Sequence, residues 1–251
     1  MSAAAPTPMG APRRFAPRPV PLDEFPALVS ATGTLLAAAP GRLCVLFLLV
    51  FLPIQFIPNL PYVAMPLRAT LAAVGFAGFY AALESARMGR PATFVDMLLP
   101  WRLAPDKLLV LVASGLVPLA LALLAWWADI GGDELDRLLV GGAADGGPGV
   151  RQQVEFVVVI NLAAMPVIFL QPLCVLFHWS GSRTIAATLI AWLANWRWAL
   201  ILTLVSIPIA IGLDSFDPND ALEILMSLVS EIAVEIVLSA FTLVLLQRSL
   251  K

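Results

Sequence analysis

Charge is what this chain most lacks. Charged residues make up 13% of its 251 positions and hydrophobic ones 60%, where a soluble globular chain carries about 25% and about 45–50%. Fifteen basic side chains against seventeen acidic ones leave a formal net charge of −2, which excludes the concentrated basic face that a nucleic-acid partner needs. There is one histidine, His178, and there are two cysteines, Cys44 and Cys174. So sparse a donor set excludes a zinc or haem centre, and no metal or other cofactor is expected. Both cysteines lie in apolar runs, where each reads as a small buried hydrophobe rather than half of a disulfide. Also missing are a phosphate loop, a nucleophile elbow and a zinc-protease helix. No catalytic residue is assigned, and enzymatic activity is not expected.

What is present is apolar sequence in long runs, with a mean hydropathy of +0.91. A bilayer core of about 30 Å takes roughly 20 apolar residues to cross as a helix. Six runs qualify, at about 43–60, 63–84, 107–128, 153–177, 198–213 and 221–247. The fold class expected is an all-α polytopic membrane protein of six transmembrane helices, folded as a single domain over 23–251. Residues 1–22 carry Pro6, Pro8, Pro12, Pro17, Pro19 and Pro21, a composition that favours a disordered cytoplasmic tail. No cleaved signal peptide is expected, because the first long apolar run starts only near Leu43.

The few charges that exist are sorted. With the N-terminus inside, twelve of the fifteen basic residues fall on the cytoplasmic side, from Arg13 and Arg42 through Arg87, Lys107 and Arg197 to Lys251. Arg137 and Arg151 fall outside, and Arg68 lies within the second run. Asp129, Asp133, Glu134, Asp136, Asp145, Asp214, Asp217 and Asp220 fall outside. Basic residues favour the cytoplasmic side of short loops, so both termini are expected there, in a bacterial inner membrane. The acidic stretch 129–152 reads as a solvated outer loop, without the spacing of an EF-hand.

Before each odd-numbered run lies a shorter amphipathic stripe: Phe25, Leu28, Val29, Thr32, Leu35 and Leu36; then Phe94, Met97, Leu98 and Trp101; then Ile185, Leu189, Trp192, Leu193 and Trp196. The i, i+3/i+4, i+7 spacing predicts three interfacial helices on the cytoplasmic side, each turning into the membrane. Gly89–Lys107 and Gly181–Ala199 align without a gap, which gives the expectation of a threefold repeat of elbow helix, span and span. Trp101, Trp192, Trp196 and Trp198 are expected as interfacial anchors, as are Trp126, Trp127 and Trp179.

The stretch from Met165 to about Val205 resembles an uncharacterised group of proteobacterial six-span inner-membrane proteins. Pro172 matches the proline of the group's Met-rich span, and Thr188, Ala191 and Asn195 match its spaced Ser, Ala and Asn positions. Thr188 stands for the usual Ser, and Trp192 for a small residue. The turn Gly89-Arg90-Pro91 is also similar. The resemblance implies a fold and no catalytic residues.

Ionisable groups inside a span are functional candidates because they are costly to keep there. Glu223, Ser227, Glu231, Glu235 and Ser239 recur every four residues along the sixth run, making one slowly winding polar stripe. Glu231 is eleven residues beyond Asp220, about 16 Å along a helix axis. Two carboxylates one turn apart repel, so at least one is expected to hold its proton or to face a cation. Arg68 is the candidate cation; Asn161 and Gln171 are neutral candidates. The stripe reads either as an ion or proton pathway or as a hydrogen-bonded seam. Proline interrupts most of the runs, at Pro53, Pro118, Pro166, Pro172 and Pro208. It serves either to kink the helices or to shape a binding site.

Two functions follow. One is an accessory, assembly or scaffold protein working through lipid or a membrane-protein partner, and this is the first expectation. The other is a small transporter or channel, as a single chain or a homo-oligomer, using the Glu231/Glu235 stripe. A water-filled cavity reaching those carboxylates with Arg68 nearby would favour the second.

Overall fold

The computed structural model describes residues 15–58, 60–141, 150–214 and 221–251. The expectations for residues 1–14, Asn59, Asp145, Asp217 and Asp220 fall outside that set. Every regular element among the described residues is helical. Among the described residues, four helical stretches are long and apolar enough to cross a membrane, and two sharply bent helix pairs raise the number to six if each pair is one span.

Helices α1 (Phe25–Ala37) and α2 (Pro40–Gln55) form the first bent pair, at 84°. The corner is local chemistry. Pro40 disfavours helical geometry at the residue before it, and Ala39 sits at φ −157°, ψ 56°. The run expected to continue to residue 60 stops at Gln55. Its 16 residues reach about 24 Å, short of a bilayer core. Helix α3 (Ala64–Arg87) is the enclosed centre of the bundle, packed against α2 and against the later helices over Pro105–Ile130, Leu170–Leu176 and Ala221–Ser249.

The second stripe departs from its expectation. It folds as one turn, α4 (Phe94–Met97), followed by a 3-10 turn over Leu99–Arg102. A capping box ends the chain's run into α4: the Thr93 amide donates to Asp96 Oδ2 at 2.7 Å, and Ser85 Oγ to Asp96 Oδ1 at 3.1 Å. Gly78 admits this segment, because a Cβ there would lie 2.3 Å from the Met97 carbonyl oxygen. Pro100 removes the amide that a continuous helix needs.

Helix α5 (Pro105–Ile130) crosses next to α3, and the stretch read as an outer loop continues as a helix, α6 (Gly132–Gly141). Several of its charges are engaged: Arg151 bonds Asp129 at 2.7 Å, Arg137 pairs with Glu134, and the Tyr62 hydroxyl donates to Asp136. That last bond holds the Tyr62 proton and raises the phenol above its ordinary pKa.

The fourth run is broken. Helix α7 (Val150–Ala164) gives way to a 3-10 turn at Met165–Val167, and helix resumes as α8 (Leu170–Leu176). Pro166, with no amide hydrogen, sits in the break. Helices α9 (Gly181–Ala194) and α10 (Trp196–Asp214) form the second bent pair, at 87° about Asn195. Helix α11 (Ala221–Ser249) closes the bundle.

The two elbow helices bury opposite kinds of face. α1 turns Leu28, Thr32 and Leu35 inward. α9 instead buries Gly181, Thr184, Ala187, Thr188 and Ala191 and exposes Ile185, Leu189 and Leu193. Small residues let helices approach closely where lipid surrounds the protein. The resemblance positions Thr188, Ala191 and Asn195 are all buried there.

Part of the expected tail is held by the bundle. The Arg18 amide donates to the Ser249 carbonyl at 2.7 Å, and the Val20 amide to Asn195 Oδ1 at 2.9 Å. The Val20 carbonyl accepts from Trp198 Nε1 at 2.8 Å, and Phe15 packs edge-on to Phe177 and Trp179. Proline-rich sequence cannot make a helix, but its extended backbone keeps the donors and acceptors of its non-proline residues free for such bonds.

Candidate functional site

Two adjoining polar chambers lie in the bundle, where the break between α7 and α8 faces α10 and α11. The larger has a volume of about 240 Å³, the smaller about 180 Å³. They share Asn161, Ser206, Glu235 and Leu238 as walls. The break supplies Met165, Val167 and Ile168 to the larger chamber. Irregular backbone in a membrane protein is tolerated where it lines a cavity, as Met165, Val167 and Ile168 do here.

The α11 stripe supplies the acidic wall. Ser227 and Glu231 line the smaller chamber, Glu235 lines both, and Ser239 and Thr242 line the larger. From Ser227 to Thr242 the stripe covers about 22 Å of helix at 1.5 Å per residue. Facing it are Tyr80 of α3, Ser114 of α5, Asn161 of α7, Gln171 of α8, and Thr203 and Ser206 of α10.

Most of these groups are already bonded. Asn161 Nδ2 donates to the Val157 carbonyl at 2.8 Å, while Ser206 Oγ lies 2.9 Å from both Asn161 Oδ1 and the Thr203 carbonyl. Ser114 Oγ donates to the Leu111 carbonyl at 2.6 Å, and the Tyr80 hydroxyl is hydrogen-bonded to Ser239 and Thr242. Three are not: among the described residues, no hydrogen-bond partner reaches the Glu235 carboxylate, the Gln171 side-chain amide or the Thr203 hydroxyl. Unpaired polar groups in an apolar interior cost several kcal/mol in alkane-like surroundings. Here their surfaces face the chamber, so its contents must satisfy them.

Of the seven residues singled out in the sequence as pathway candidates, the chambers bring together Glu231, Glu235, Ser227, Ser239, Asn161 and Gln171. Arg68 is the exception. Its Nη2 donates to the Ile57 carbonyl at 2.6 Å, where the chain leaves α2, and it lines neither chamber. Glu223, the first carboxylate of the stripe, is likewise outside both walls. The residues not foreseen are Tyr80, Ser114, Thr203, Ser206 and Thr242. Thr203 and Ser206 stand three apart on α10, a polar helical face that the run of apolar residues between 198 and 213 obscures.

The tryptophans divide. Trp101 and Trp196 are exposed, as anchors at a bilayer surface would be, and Trp192 is half-buried. Trp198 is a core residue, 2% exposed, stacked on Phe25 and tilted against Phe241. Trp126 is also buried and donates to the Gln152 carbonyl at 2.7 Å. Cys174 is buried as expected; Cys44 lies on the exposed face of α2 instead. Among the described residues no group of three or more His, Cys, Asp or Glu could hold a metal ion.

Comparison with known proteins returns no match: no family model, no curated protein and no solved structure is similar to the chain.

Proposed function

We propose that this protein moves small cations, protons included, across a membrane through the paired chambers along α11. The observation that carries the reading is the position of Glu235, in the wall common to both chambers, with Glu231 one turn away in the smaller one. A carboxylate at membrane depth attracts positive charge and repels negative charge strongly, because the surroundings screen it little. A helix broken by proline beside that carboxylate is the arrangement transporters use to open backbone and side chains to a solute. The topology that goes with this reading has six spans, both termini cytoplasmic and a bacterial inner membrane, as the sorting of basic residues favours. The threefold repeat belongs to the same proposal, its elbows being the two bent pairs and the shorter turn at α4.

The chain reconstituted in vesicles under an imposed pH gradient tests this. The wild type is expected to dissipate the gradient faster than empty vesicles, and the Glu231→Gln, Glu235→Gln double variant, monodisperse after purification, to return to the empty-vesicle rate. A wild type no faster than empty vesicles, or a double variant as fast as wild type, would sink the proposal.

The accessory reading has its own support in α9, whose Ile185, Leu189, Ile190, Leu193 and neighbouring Trp196 form an exposed apolar face. Lipid covers such a face equally well. A stoichiometric membrane partner co-purifying from the native membrane, together with an inactive wild type in vesicles, would favour the accessory function over transport.

A further inference from the structure

We propose that the larger chamber is a binding site for a small organic monocation, a protonated amine whose charged nitrogen sits at Glu235. The inference rests on the transport reading and names the class of solute that the same chamber takes.

Size comes first. Pockets for drug-sized ligands run from about 300 Å³ upward, so 240 Å³ suits something smaller. It is also too wide for a bare metal cation, which needs several oxygens converging within about 2.6 Å, and the described residues offer no such acidic cluster. Charge narrows the class further. Among the described residues, Glu235 is the one carboxylate in the wall of this chamber, and no Lys, Arg or His lines it. An anion entering would meet uncompensated repulsion in a low-dielectric site.

Hydrogen bonding then separates a cation from a neutral solute. The wall's charged spare group is an acceptor: the Glu235 carboxylate has no donor among the described residues, the hydroxyls of Tyr80, Ser114 and Ser206 already have partners, and the spare donors, on Gln171 and Thr203, are neutral. An ammonium group is all donor and carries the complementary charge. The rest of the wall suits its carbon skeleton. Phe76 and Tyr80 present aromatic rings, which attract cations through their faces, and Leu202, Val167 and Ile168 are aliphatic. Gln171, with its amide unpartnered, provides one further polar contact. Apolar surface beside placed polar groups is the general character of small-molecule sites.

The test is calorimetric titration of the purified full-length chain in a non-ionic detergent with propylammonium chloride, against the neutral analogue propanol and the anion propionate. Saturable binding is expected for propylammonium alone. Glu235→Gln is expected to weaken it by about tenfold to a hundredfold, the loss of one hydrogen bond to a charged group. Glu235→Asp, which keeps the charge, should retain part of the binding, and Asp133→Asn on α6 should change nothing. No saturable binding of propylammonium, equal binding of propanol, or unchanged binding in Glu235→Gln would each overturn the inference. Should Glu235→Gln prove unstable, an Glu235→Asp variant that binds as tightly as propanol does to wild type would overturn it equally. Binding in detergent is independent of flux across a vesicle, so its failure alone leaves the transport reading standing, and a failed flux alone leaves the site.

Discussion

Trp198→Ala is expected to lower the stability of the fold by about 3–5 kcal/mol, the cost of emptying a large aromatic site in a packed core. Three things are lost together. The indole stacks on Phe25 with centroids 6.0 Å apart and packs against Phe241 at 5.7 Å. Its Nε1 donates to the Val20 carbonyl at 2.8 Å, so truncation also leaves a buried acceptor unpaired. Through Val20 it helps to hold the extended segment 15–21, whose other bonds run to Asn195 and Ser249. Trp196, two residues earlier, is 50% exposed, and its alanine variant should sit within about 0.5 kcal/mol of wild type, like most surface changes. Unfolding followed by far-UV circular dichroism in detergent separates the two; equal losses would mean that Trp198 is an interfacial anchor after all.

The second large effect is on transport with little change in stability. Ala164 ends α7 at the wall of the larger chamber. Adding a side chain in a packed core costs about 1–3 kcal/mol, but here there is empty volume of about 240 Å³ to receive it. Ala164→Phe is therefore expected to leave the unfolding midpoint near wild type and to bring flux in the vesicle assay down to the empty-vesicle rate. A phenyl ring in this position also covers part of the Glu235 wall, so propylammonium binding should fall with it. Loss of fold with the substitution would mean that the site is already packed, and full flux would place the route elsewhere.

The sequence made some of this legible and hid the rest for identifiable reasons. Long apolar runs announce membrane-crossing helices, and α3, α5 and α11 extend within a few residues of their expected limits. The corner at Ala39-Pro40 was readable as a short amphipathic stripe followed by a run, because proline chemistry is local. The middle stripe was misread, because Phe94, Met97, Leu98 and Trp101 have helical spacing while Pro100 denies the helix its amide. The stretch 132–141 looked like a loop because its acids are dense; its hydrophobic residues Leu135 and Leu139 still recur at one-turn spacing, and helix forms.

The candidate site divides along the same line. Glu231, Glu235, Ser227 and Ser239 share one helix, so their common face follows from a period of four. Which residues oppose them depends on tertiary packing, and Tyr80, Ser114 and Thr203 could not be assigned from spacing. Arg68 is a candidate cation for the stripe because it lies within the second run; it lines neither chamber, and its Nη2 bonds the Ile57 carbonyl just past the end of α2. Trp198 shows the same limit: its position near a span end suits an anchor, and only the arrival of residues 15–21 from far away in sequence makes it core.

The most direct test of the central claim is whether water reaches the α11 stripe within the membrane. With Cys44 and Cys174 replaced by alanine, single cysteines at Glu231, Glu235 and Ser239 are compared with cysteines at Ala233 and Val237, which lie on the exposed face of the same helix. A small charged, water-soluble thiol reagent is applied to open membranes. The chambers predict fast labelling at 231, 235 and 239 and slow labelling at 233 and 237, which line neither chamber. Labelling at 235 and 239 no faster than at 233 and 237 would contradict the account.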